Sequence, residues 1–224
     1  MYNYIMGKGG NMFTVGITGS SGSGKGYVCE VFNEAGIPCL DTDKVCREVY
    51  LKGHECYDDL IKEFGTQILG EDGEIDRKAL FNLTFSDQEK YSRLNTIAFM
   101  HILNETRAWL KEREKEDCEI AVIDAPMLYE SGFDQLCDRV VCVICDRRTQ
   151  IRRIMFRDGI SERDAEIRLD KQRTNLYYTS RAHHVIDNSV NNEVNVDSET
   201  RRLIGNFRRF VRKNKKLLNP KENI

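Results

Sequence analysis

The residues with the most specific chemistry form a glycine-rich segment near the start of the chain. Gly19 is followed by four residues and then by Gly24 and Lys25, between an apolar run and a helical pattern that begins at Val28. Glycines allow backbone N–H groups to converge on phosphate oxygens, and the following helix end and the lysine add positive charge. This strand–loop–helix order predicts a phosphate-binding loop. The predicted nucleotide contacts are Gly19, Ser20, Ser21, Gly22, Ser23, Gly24, Lys25, Gly26 and Tyr27.

The loop departs from the common pattern at Gly26, where the hydroxyl of a serine or threonine normally binds Mg²⁺. Glycine supplies no ligand there and costs about 1 kcal/mol of helix propensity relative to alanine. Because Mg²⁺ usually keeps several waters, a water can fill this coordination position. The loop is therefore predicted to bind nucleotide, and rapid catalysis is a hypothesis that a magnesium titration can test.

Three carboxylates follow predicted strands. Asp41 and Asp43 come after the second strand, and Asp124 closes the third. Strand ends next to a phosphate loop face the crevice in which α/β proteins bind ligands. One carboxylate of the first pair could orient or deprotonate a hydroxyl group or hold Mg²⁺ through water, although Asp41 could instead cap the next helix. Asp124 has the position of the magnesium-side aspartate of such folds.

Five short apolar runs alternate with long helical stretches along the chain. The runs are rich in Val, Ile and Cys and lack polar alternation, which is typical of strands buried on both faces. The connections are too long for hairpins, so the strands are predicted to be parallel. The predicted fold class is α/β, with a parallel five-stranded sheet and helices on both faces. The predicted strands are residues 13–18, 37–40, 120–124, 139–145 and 184–187.

Two helical excursions interrupt this pattern. Residues 44–118 form the longer one, which is predicted to build a substrate lobe over the ends of the strands, and residues 147–180 form a shorter one that is dense in arginine. The predicted nucleotide-binding core comprises residues 13–43, 119–146 and 181–218, with a flexible N-terminal extension at 1–12 and a tail at 219–224.

The overall charge argues against a dedicated nucleic-acid-binding protein. The 224 residues include 34 Lys and Arg and 36 Asp and Glu, a formal net charge of −2. Affinity for nucleic acid usually comes from a basic excess, which this chain lacks. Basic residues do concentrate between residues 201 and 216, but Leu203, Phe207 and Val211 keep helical spacing there. We therefore expect a docked amphipathic helix rather than an RNA-binding arm.

The chain also lacks the patterns of membrane and secreted proteins. No apolar run approaches the roughly 18 residues needed to span a bilayer, and the first 12 residues lack the apolar core of a secretory signal. The eight cysteines are scattered through predicted helices and strands, which is typical of reduced thiols in a cytoplasmic protein. Cys142 and Cys145 have a metal-like spacing but lie in an apolar run without a second ligand pair, so we interpret them as strand residues.

Taken in order, the motifs resemble those of the dephospho-CoA kinase family over residues 13–188, most of the chain. The phosphate loop alone is shared with many kinases, whereas the Asp-x-Asp and Pro-x-Leu-x-Glu blocks are specific. The matching motifs are residues 16–19 with the loop, Asp41 and Asp43 with residues 47–49, residues 64–65 and 73–77, Leu94-Asn95 with Ile97, residues 124–132, Arg153 with residues 157–159, Gln172, and residues 185–188.

The resemblance implies ATP-dependent phosphorylation of the ribose 3′-hydroxyl of dephospho-CoA, which gives CoA and ADP. It also implies a P-loop core like that of nucleoside monophosphate kinases, a CoA-binding lobe at residues 44–118 and an arginine-bearing lid at about 147–173. The remaining implied contacts are Asn188 with ATP; Asp41, Asp43, Arg47, Arg77, Pro126, Leu128 and Glu130 with the acceptor; and Asp124, through water, with Mg²⁺.

The resemblance assigns four catalytic roles by position. Asp43 is the candidate base for the 3′-hydroxyl, Lys25 neutralises charge on the transferred phosphoryl group, and Arg153 and Arg157 close onto the ATP phosphates. A solvated helix face is the alternative for the two arginines, although like charges four residues apart repel unless an anion lies between them.

Three departures from the family pattern keep other functions open. Gly26 is one, Phe99-Met100 stands where the family has His-Pro, and Ala182-His183 stands where it has Ala-Asp. One alternative is another nucleoside or nucleotide kinase of the uridine kinase type. The other is a divergent paralogue that binds ATP or CoA with little catalysis.

Overall fold

The computed structural model describes residues 12–85, 87–189 and 193–218, with side chains at 12–85, 87–189 and 196–214. Residues 1–11 of the predicted extension (1–12) and the predicted tail at 219–224 lie outside the described residues. Met12, which the sequence assigned to the extension, is buried directly before the first strand.

The chain alternates strands and helices as the apolar runs predict. Short 3₁₀ turns occur at Thr66–Ile68 and Phe133–Leu136. The strands are β1 (Phe13–Thr18), β2 (Cys39–Asp41), β3 (Ile120–Asp124), β4 (Arg139–Ile144) and β5 (His184–Asp187), and the helices are α1 (Lys25–Glu34), α2 (Thr42–Val49), α3 (Glu55–Phe64), α4 (Arg77–Phe85), α5 (Gln88–Lys115), α6 (Arg147–Asp158), α7 (Glu162–Asp170), α8 (Asn175–Thr179) and α9 (Glu193–Leu218).

The five strands form one parallel sheet in the order β2-β3-β1-β4-β5. The central strand β1 pairs Ile17 with Asp124 of β3 and Thr18 with Cys142 of β4. The carboxyl ends of β1, β3 and β4 therefore meet at one edge of the sheet. This arrangement confirms the predicted fold class.

Three strand boundaries differ from the prediction. β2 ends at Asp41 rather than at residue 40, and the other two differences have local reasons. β2 begins at Cys39 rather than at residue 37, because Pro38 has no N–H to donate to the sheet, although its carbonyl accepts a bond from Val122 (2.9 Å). β4 ends at Ile144 rather than at residue 145, because the carbonyl of Cys145 accepts a hydrogen bond from the side chain of Asn175 (3.1 Å).

The sheet core is closed on one face by the first and last helices. Val28, Val31 and Phe32 of α1 pack in one buried cluster with Leu203, Ile204, Phe207 and Val211 of α9 and with the inward residues of β1, β3 and β4. The ring of Phe13 lies 5.4 Å from that of Phe207. The basic face of α9 also contributes, since Arg201 pairs with Glu34 of α1 at 2.6 Å. The predicted docked amphipathic helix is confirmed.

The chain divides into two compact units, of which one comprises residues 41–112 and the other the rest of the described chain. The smaller unit covers most of the segment predicted as the substrate lobe. Its core includes Leu60, Phe64, Leu80 and Ile102, and His101 Nε2 lies 2.8 Å from Asp59 Oδ2. The pairing gives His101 a structural partner within this unit.

Within the described residues, no helix combines the length and apolar character that a membrane crossing requires. All eight cysteines lie in this part of the chain and are free thiols. Cys142 lies inside β4, and Cys145 follows it directly. Both are buried, in agreement with their interpretation as strand residues rather than metal ligands.

One departure from the family pattern, His183, has a local role that explains the substitution. The N–H of His183 donates to the carbonyl of Val140 at 2.9 Å, and its ring Nδ1 accepts from the N–H of Val140 at 3.0 Å. An aspartate carboxylate can accept the same bond. The substitution therefore keeps an acceptor, on the residue directly before β5, for the N–H of Val140 in β4.

We expect His183→Ala to lower the free energy of unfolding by about 1–2 kcal/mol, because the N–H of Val140 loses its partner. His183→Asp should lose much less, since a carboxylate restores the acceptor. Urea unfolding of both variants at pH 7.5 measures the difference. Equal losses in the two variants would show that the packing of the ring, rather than its acceptor nitrogen, is what stabilises the sheet.

Candidate active site

The phosphate loop joins β1 to α1 and requires glycine at three positions. Gly22 has φ +74°, and a Cβ there would lie 2.7 Å from the carbonyl oxygen of Gln150. Gly19 has φ +141°, and a Cβ there would lie 2.2 Å from the carbonyl oxygen of Val143. Gly24 has φ +97°, and its Cβ would lie 2.1 Å from Asn188 Nδ2. All three positions combine a positive φ, which only glycine adopts readily, with a contact too short for a Cβ unless a neighbouring atom moves. The loop is thus pressed against the ends of β4 and β5.

The carbonyl oxygens of residues 19–23 all accept hydrogen bonds from side chains. Lys25 Nζ donates to the first two at 2.8 and 3.4 Å, and Gln150 Nε2 donates to the third at 3.2 Å. Arg153 Nη1 donates to the last two at 3.3 Å, and Asn188 Nδ2 also donates to the last at 2.9 Å. In a trans peptide the carbonyl of one residue points opposite to the N–H of the next. The N–H groups of Ser20, Gly22 and Gly24 therefore point away from these donors, whereas those of Ser21 and Ser23 bond to Gln172 and to the carbonyl of Ser20. Backbone N–H groups that converge in this way suit an anion.

Helix α1 strengthens this preference for anions. Its N-cap is Gly24, which has no side chain to cap the first turn, and that turn contains no acidic residue. The first N–H groups of a helix lack partners within the helix and carry its partial positive charge. Lys25 is the first residue of α1, so its ammonium group adds a full positive charge at the same place.

The structure brings the predicted nucleotide-site residues Lys25, Arg153, Arg157 and Asn188 together around the loop. Arg157 Nη2 reaches Ser21 Oγ at 3.3 Å, and Arg153 Nη2 reaches Asn188 Oδ1 at 3.3 Å. The two arginines that the resemblance assigns to the ATP phosphates therefore lie against the loop that would hold those phosphates. Their phosphate contacts stay predictions.

Two glutamines also reach the loop. Gln150 on α6 is buried, and its Nε2 lies 2.5 Å from Ser20 Oγ. Gln172, between α7 and α8, accepts the N–H of Ser21 at 2.8 Å. Sequence reasoning missed Gln150 entirely, since a glutamine in an arginine-rich helix has no distinguishing pattern. It noted Gln172 only as part of the resemblance, without a role.

Asp124 ends β3 opposite Ile17, two residues before the loop begins. The hydroxyl of Thr18 donates to the carbonyl of Pro126 (3.3 Å), which ties the segment after β3 to the end of β1. Asp124 also contacts the thiol of Cys29. A hydrogen bond with Cys39, burial and the charge of Asp124 all raise the pKa of that thiol.

The donor set suits Mg²⁺ held mainly by nucleotide phosphates. Mg²⁺ usually takes one or two protein carboxylates, and Asp124 is the carboxylate that the sheet places beside the loop. Among residues 12–85, 87–189 and 193–218, no three metal-binding side chains cluster into a ready cage. Gly26 contributes no oxygen, as the sequence indicates.

The residues after Asp124 have different surroundings. Leu128 is fully buried, and its methyl groups lie about 3 Å from where a Cβ on Gly16 would be, so it fills the core beneath β1. Its predicted acceptor contact has no support in this packing. Glu130 Oε1 lies 3.7 Å from Arg173 Nε, and its Oε2 is buried without a hydrogen bond in the described structure.

Within the smaller unit, Asp41 and Asp43 have separate roles. Asp41 Oδ1 accepts from the N–H groups of Asp43 (2.9 Å) and Lys44 (3.2 Å), so the capping alternative for Asp41 is the one observed. Asp43 lies exposed in the first turn of α2. Asp41 therefore orients the helix that carries Asp43.

The other predicted acceptor residues of this unit gather around α2. Arg77 lies 5.7 Å from the centre of the Tyr50 ring. Burial raises the pKa of the Cys46 thiol, and Asp43 raises it further, whereas Arg77 and Arg47 lower it. Three of the predicted residues therefore lie within electrostatic range of one thiol.

Comparison with known proteins identifies the family. A family model described as dephospho-CoA kinase matches residues 13–193. The chain belongs to the dephospho-CoA kinase family. This finding confirms the resemblance in the motifs.

Individual relatives agree with this assignment. A dephospho-CoA kinase of Bacillus cereus is 37% identical over 174 residues, which are 78% of this chain and 87% of that protein. One from Oryza sativa is 38% identical over 183 residues, 80% of this chain and 77% of that protein. Among solved structures, a Thermus thermophilus protein is similar with a TM-score of 0.73 at 25% identity, covering 87% of this chain and 97% of that one. Dephospho-CoA kinase from Campylobacter jejuni shares the fold with a TM-score of 0.63 at 23% identity, covering 86% and 95%.

The loop geometry predicts that two glycine-to-alanine changes, only two residues apart, affect nucleotide binding differently. Gly24→Ala should weaken nucleotide binding at least about tenfold, because the methyl group meets Asn188 in a left-handed backbone that itself costs about 1–2 kcal/mol. Gly26→Ala should bind normally and melt at the same or a higher temperature, since nothing lies within 4 Å of its Cβ and alanine favours helix. Fluorescent-nucleotide titration and thermal melts measure both. Tight binding by Gly24→Ala would contradict the proposed packing of the loop.

Proposed function

We propose that this protein transfers the terminal phosphoryl group of ATP to the ribose 3′-hydroxyl of dephospho-CoA, giving CoA and ADP. The observation that carries the proposal is the family match over residues 13–193, which spans the loop, Lys25 and both lid arginines. The packed loop supports it, because its geometry is that of an anion cradle at a helix N-terminus.

The loop and Lys25 act on the phosphates. We assign the backbone N–H groups of the loop and the start of α1 to the triphosphate, where they need no reorganisation during the reaction. Lys25 Nζ, which donates to the carbonyls of Gly19 and Ser20, exchanges these bonds for the outer phosphates. Phosphoryl transfer draws most of its rate from such positioning and charge neutralisation.

Arg153 and Arg157 come from α6, the first helix of the proposed lid. They are four residues apart on one helix face, so an anion between them relieves their mutual repulsion. Their present contacts with the loop place them at its rim. We propose that they contact the ATP phosphates from there.

Asp43 is the proposed base. It follows the carboxyl end of β2 and is exposed, whereas the neighbouring Asp41 is committed to the cap of α2. An ionised carboxylate at this position can accept the proton of the ribose hydroxyl as the phosphorus–oxygen bond forms. We also assign acceptor binding to the unit of residues 41–112, with Arg47 and Arg77 as its cationic contacts, and to Pro126 and Glu130 in the larger unit.

Mg²⁺ is the proposed metal. It would neutralise charge on the phosphates and help to orient them. Asp124 would hold it through water, because the sheet places this carboxylate beside the loop and position 26 offers no hydroxyl.

Replacing the base should affect chemistry rather than binding. Asp43→Asn is expected to lower the turnover number by about 10²- to 10⁴-fold while the Kd for ATP stays unchanged. CoA formation followed by mass spectrometry and calorimetry with ATP measure the two quantities. Asp87→Asn is the control for loss of an aspartate charge at the start of a helix in the same unit, because Asp87 caps α5 through the N–H groups of Glu89 and Lys90 and asparagine caps equally well. An unaffected turnover in Asp43→Asn would remove it from the mechanism.

Position 26 tests the metal assignment. Gly26→Ser should lower the Mg²⁺ concentration needed for half-maximal turnover several-fold, because the hydroxyl replaces a water in the coordination shell. The space around Gly26 accommodates the side chain, since nothing lies within 4 Å of a Cβ there. A magnesium titration of both proteins measures the change. An inactive parent alongside a fully active variant would show that the natural loop does not support catalysis.

A further inference from the structure

Helices α6 and α7 form one packed pair beside the phosphate loop. Ile151 and Ile154 of α6 pack with Ala165 and Leu169 of α7 in a separate buried cluster. Ion pairs connect both ends of α6 to the last turn of α7, between Asp158 and Arg168 and between Arg147 and Asp170 (2.7 Å). The beginning of α6 and the end of α7 are therefore held side by side.

A glutamine extends from each of these neighbouring ends to the same loop residue. Gln150 donates through Nε2 to the carbonyl of Ser21 at 3.2 Å and lies 2.5 Å from Ser20 Oγ. Gln172, two residues beyond α7, accepts the N–H of Ser21 at 2.8 Å. Both main-chain groups of Ser21 are thus bonded to glutamine side chains. Gln150 is 5% exposed, so water does not readily replace it.

The neutral charge of these side chains matters for their role. A cationic donor at the loop would be drawn toward the phosphates, as we propose for Lys25 and Arg153. An amide can hold the backbone without attraction to the ligand and without repelling it. The glutamines therefore suit a contact that persists before and after the nucleotide binds.

We propose that Gln150 and Gln172 act together as positioning residues that fix the loop at Ser21 in its nucleotide-binding conformation and tie it to the α6–α7 pair. This inference rests on the proposed function for its ligand, ATP, and neither glutamine is assigned to touch the phosphates. Without either hydrogen bond, the backbone N–H groups that follow Ser21 can reorient. Binding of ATP must then order these groups, and this ordering lowers the affinity for ATP.

The test is calorimetric titration of ATP with Mg²⁺ into Gln172→Met, Gln150→Met and the double variant. Methionine keeps the length of the side chain and removes its hydrogen bonds. Each single change should raise the Kd for ATP by about 5- to 10-fold, the effect of one or two lost hydrogen bonds. The double variant should raise it by less than the product of the two, because both changes release the same residue. In steady-state assays the KM for ATP should rise while the KM for dephospho-CoA stays within about twofold.

Ser161→Ala is the control for general weakening of the lid. Ser161 caps α7 and contacts Asp164, without a bond to the loop, so its loss destabilises the same helix pair. This variant should melt at a lower temperature and bind ATP within about twofold of the parent.

Three results would overturn the proposal. The first is a Kd for ATP that is unchanged or lower in both single variants. The second is a rise in the Kd for ATP in Ser161→Ala as large as that in the glutamine variants. The third is a double variant whose rise in Kd equals the product of the rises in the two single variants. Failure of the proposed function would give a different result. The unmodified protein would then bind ATP but form no CoA, and the Kd values for ATP of the variants could still be compared.

Discussion

The hydrogen bonds to five consecutive carbonyl oxygens, at residues 19–23, are the interactions on which the site depends. A backbone that turns N–H groups toward an anion must direct its carbonyls elsewhere, and buried carbonyls need donors. Here the donors come from α1, α6 and the end of β5. The loop therefore takes its shape from elements far apart in the sequence, and glycine at positions 19, 22 and 24 is what lets β4, α6 and the end of β5 approach it.

Much of the fold could be predicted from local patterns. Apolar runs without polar alternation indicated buried parallel strands, and the helical spacing of Leu203, Phe207 and Val211 indicated a docked helix. The ends of strands were less predictable where a single chemical group determines them. Pro38 delays the start of β2 because it has no N–H, and the Asn175 amide takes the carbonyl of Cys145 that would have extended β4.

The site was predictable where a residue type has one strong chemical role. Lys25 and the loop glycines belong to a motif whose spacing follows from phosphate geometry. Gln150 could not be found in this way, because an amide side chain has no periodic or charge signal and its partner lies 130 residues away. Asp41 was ambiguous for the opposite reason, since a carboxylate before a helix can cap or bind, and only the two N–H groups pointing at it decide for the cap.

The packing of α9 on β1 joins the last helix of the chain to its first strand. Phe13 contacts Phe207, so the part of this sheet face that α1 does not cover stays exposed until nearly the whole chain has been synthesised. Such a long sequence separation raises the entropy cost of closing the core and slows folding. An intermediate without α9 accordingly exposes apolar sheet surface, and exposed surface of this kind makes partly folded chains prone to aggregation.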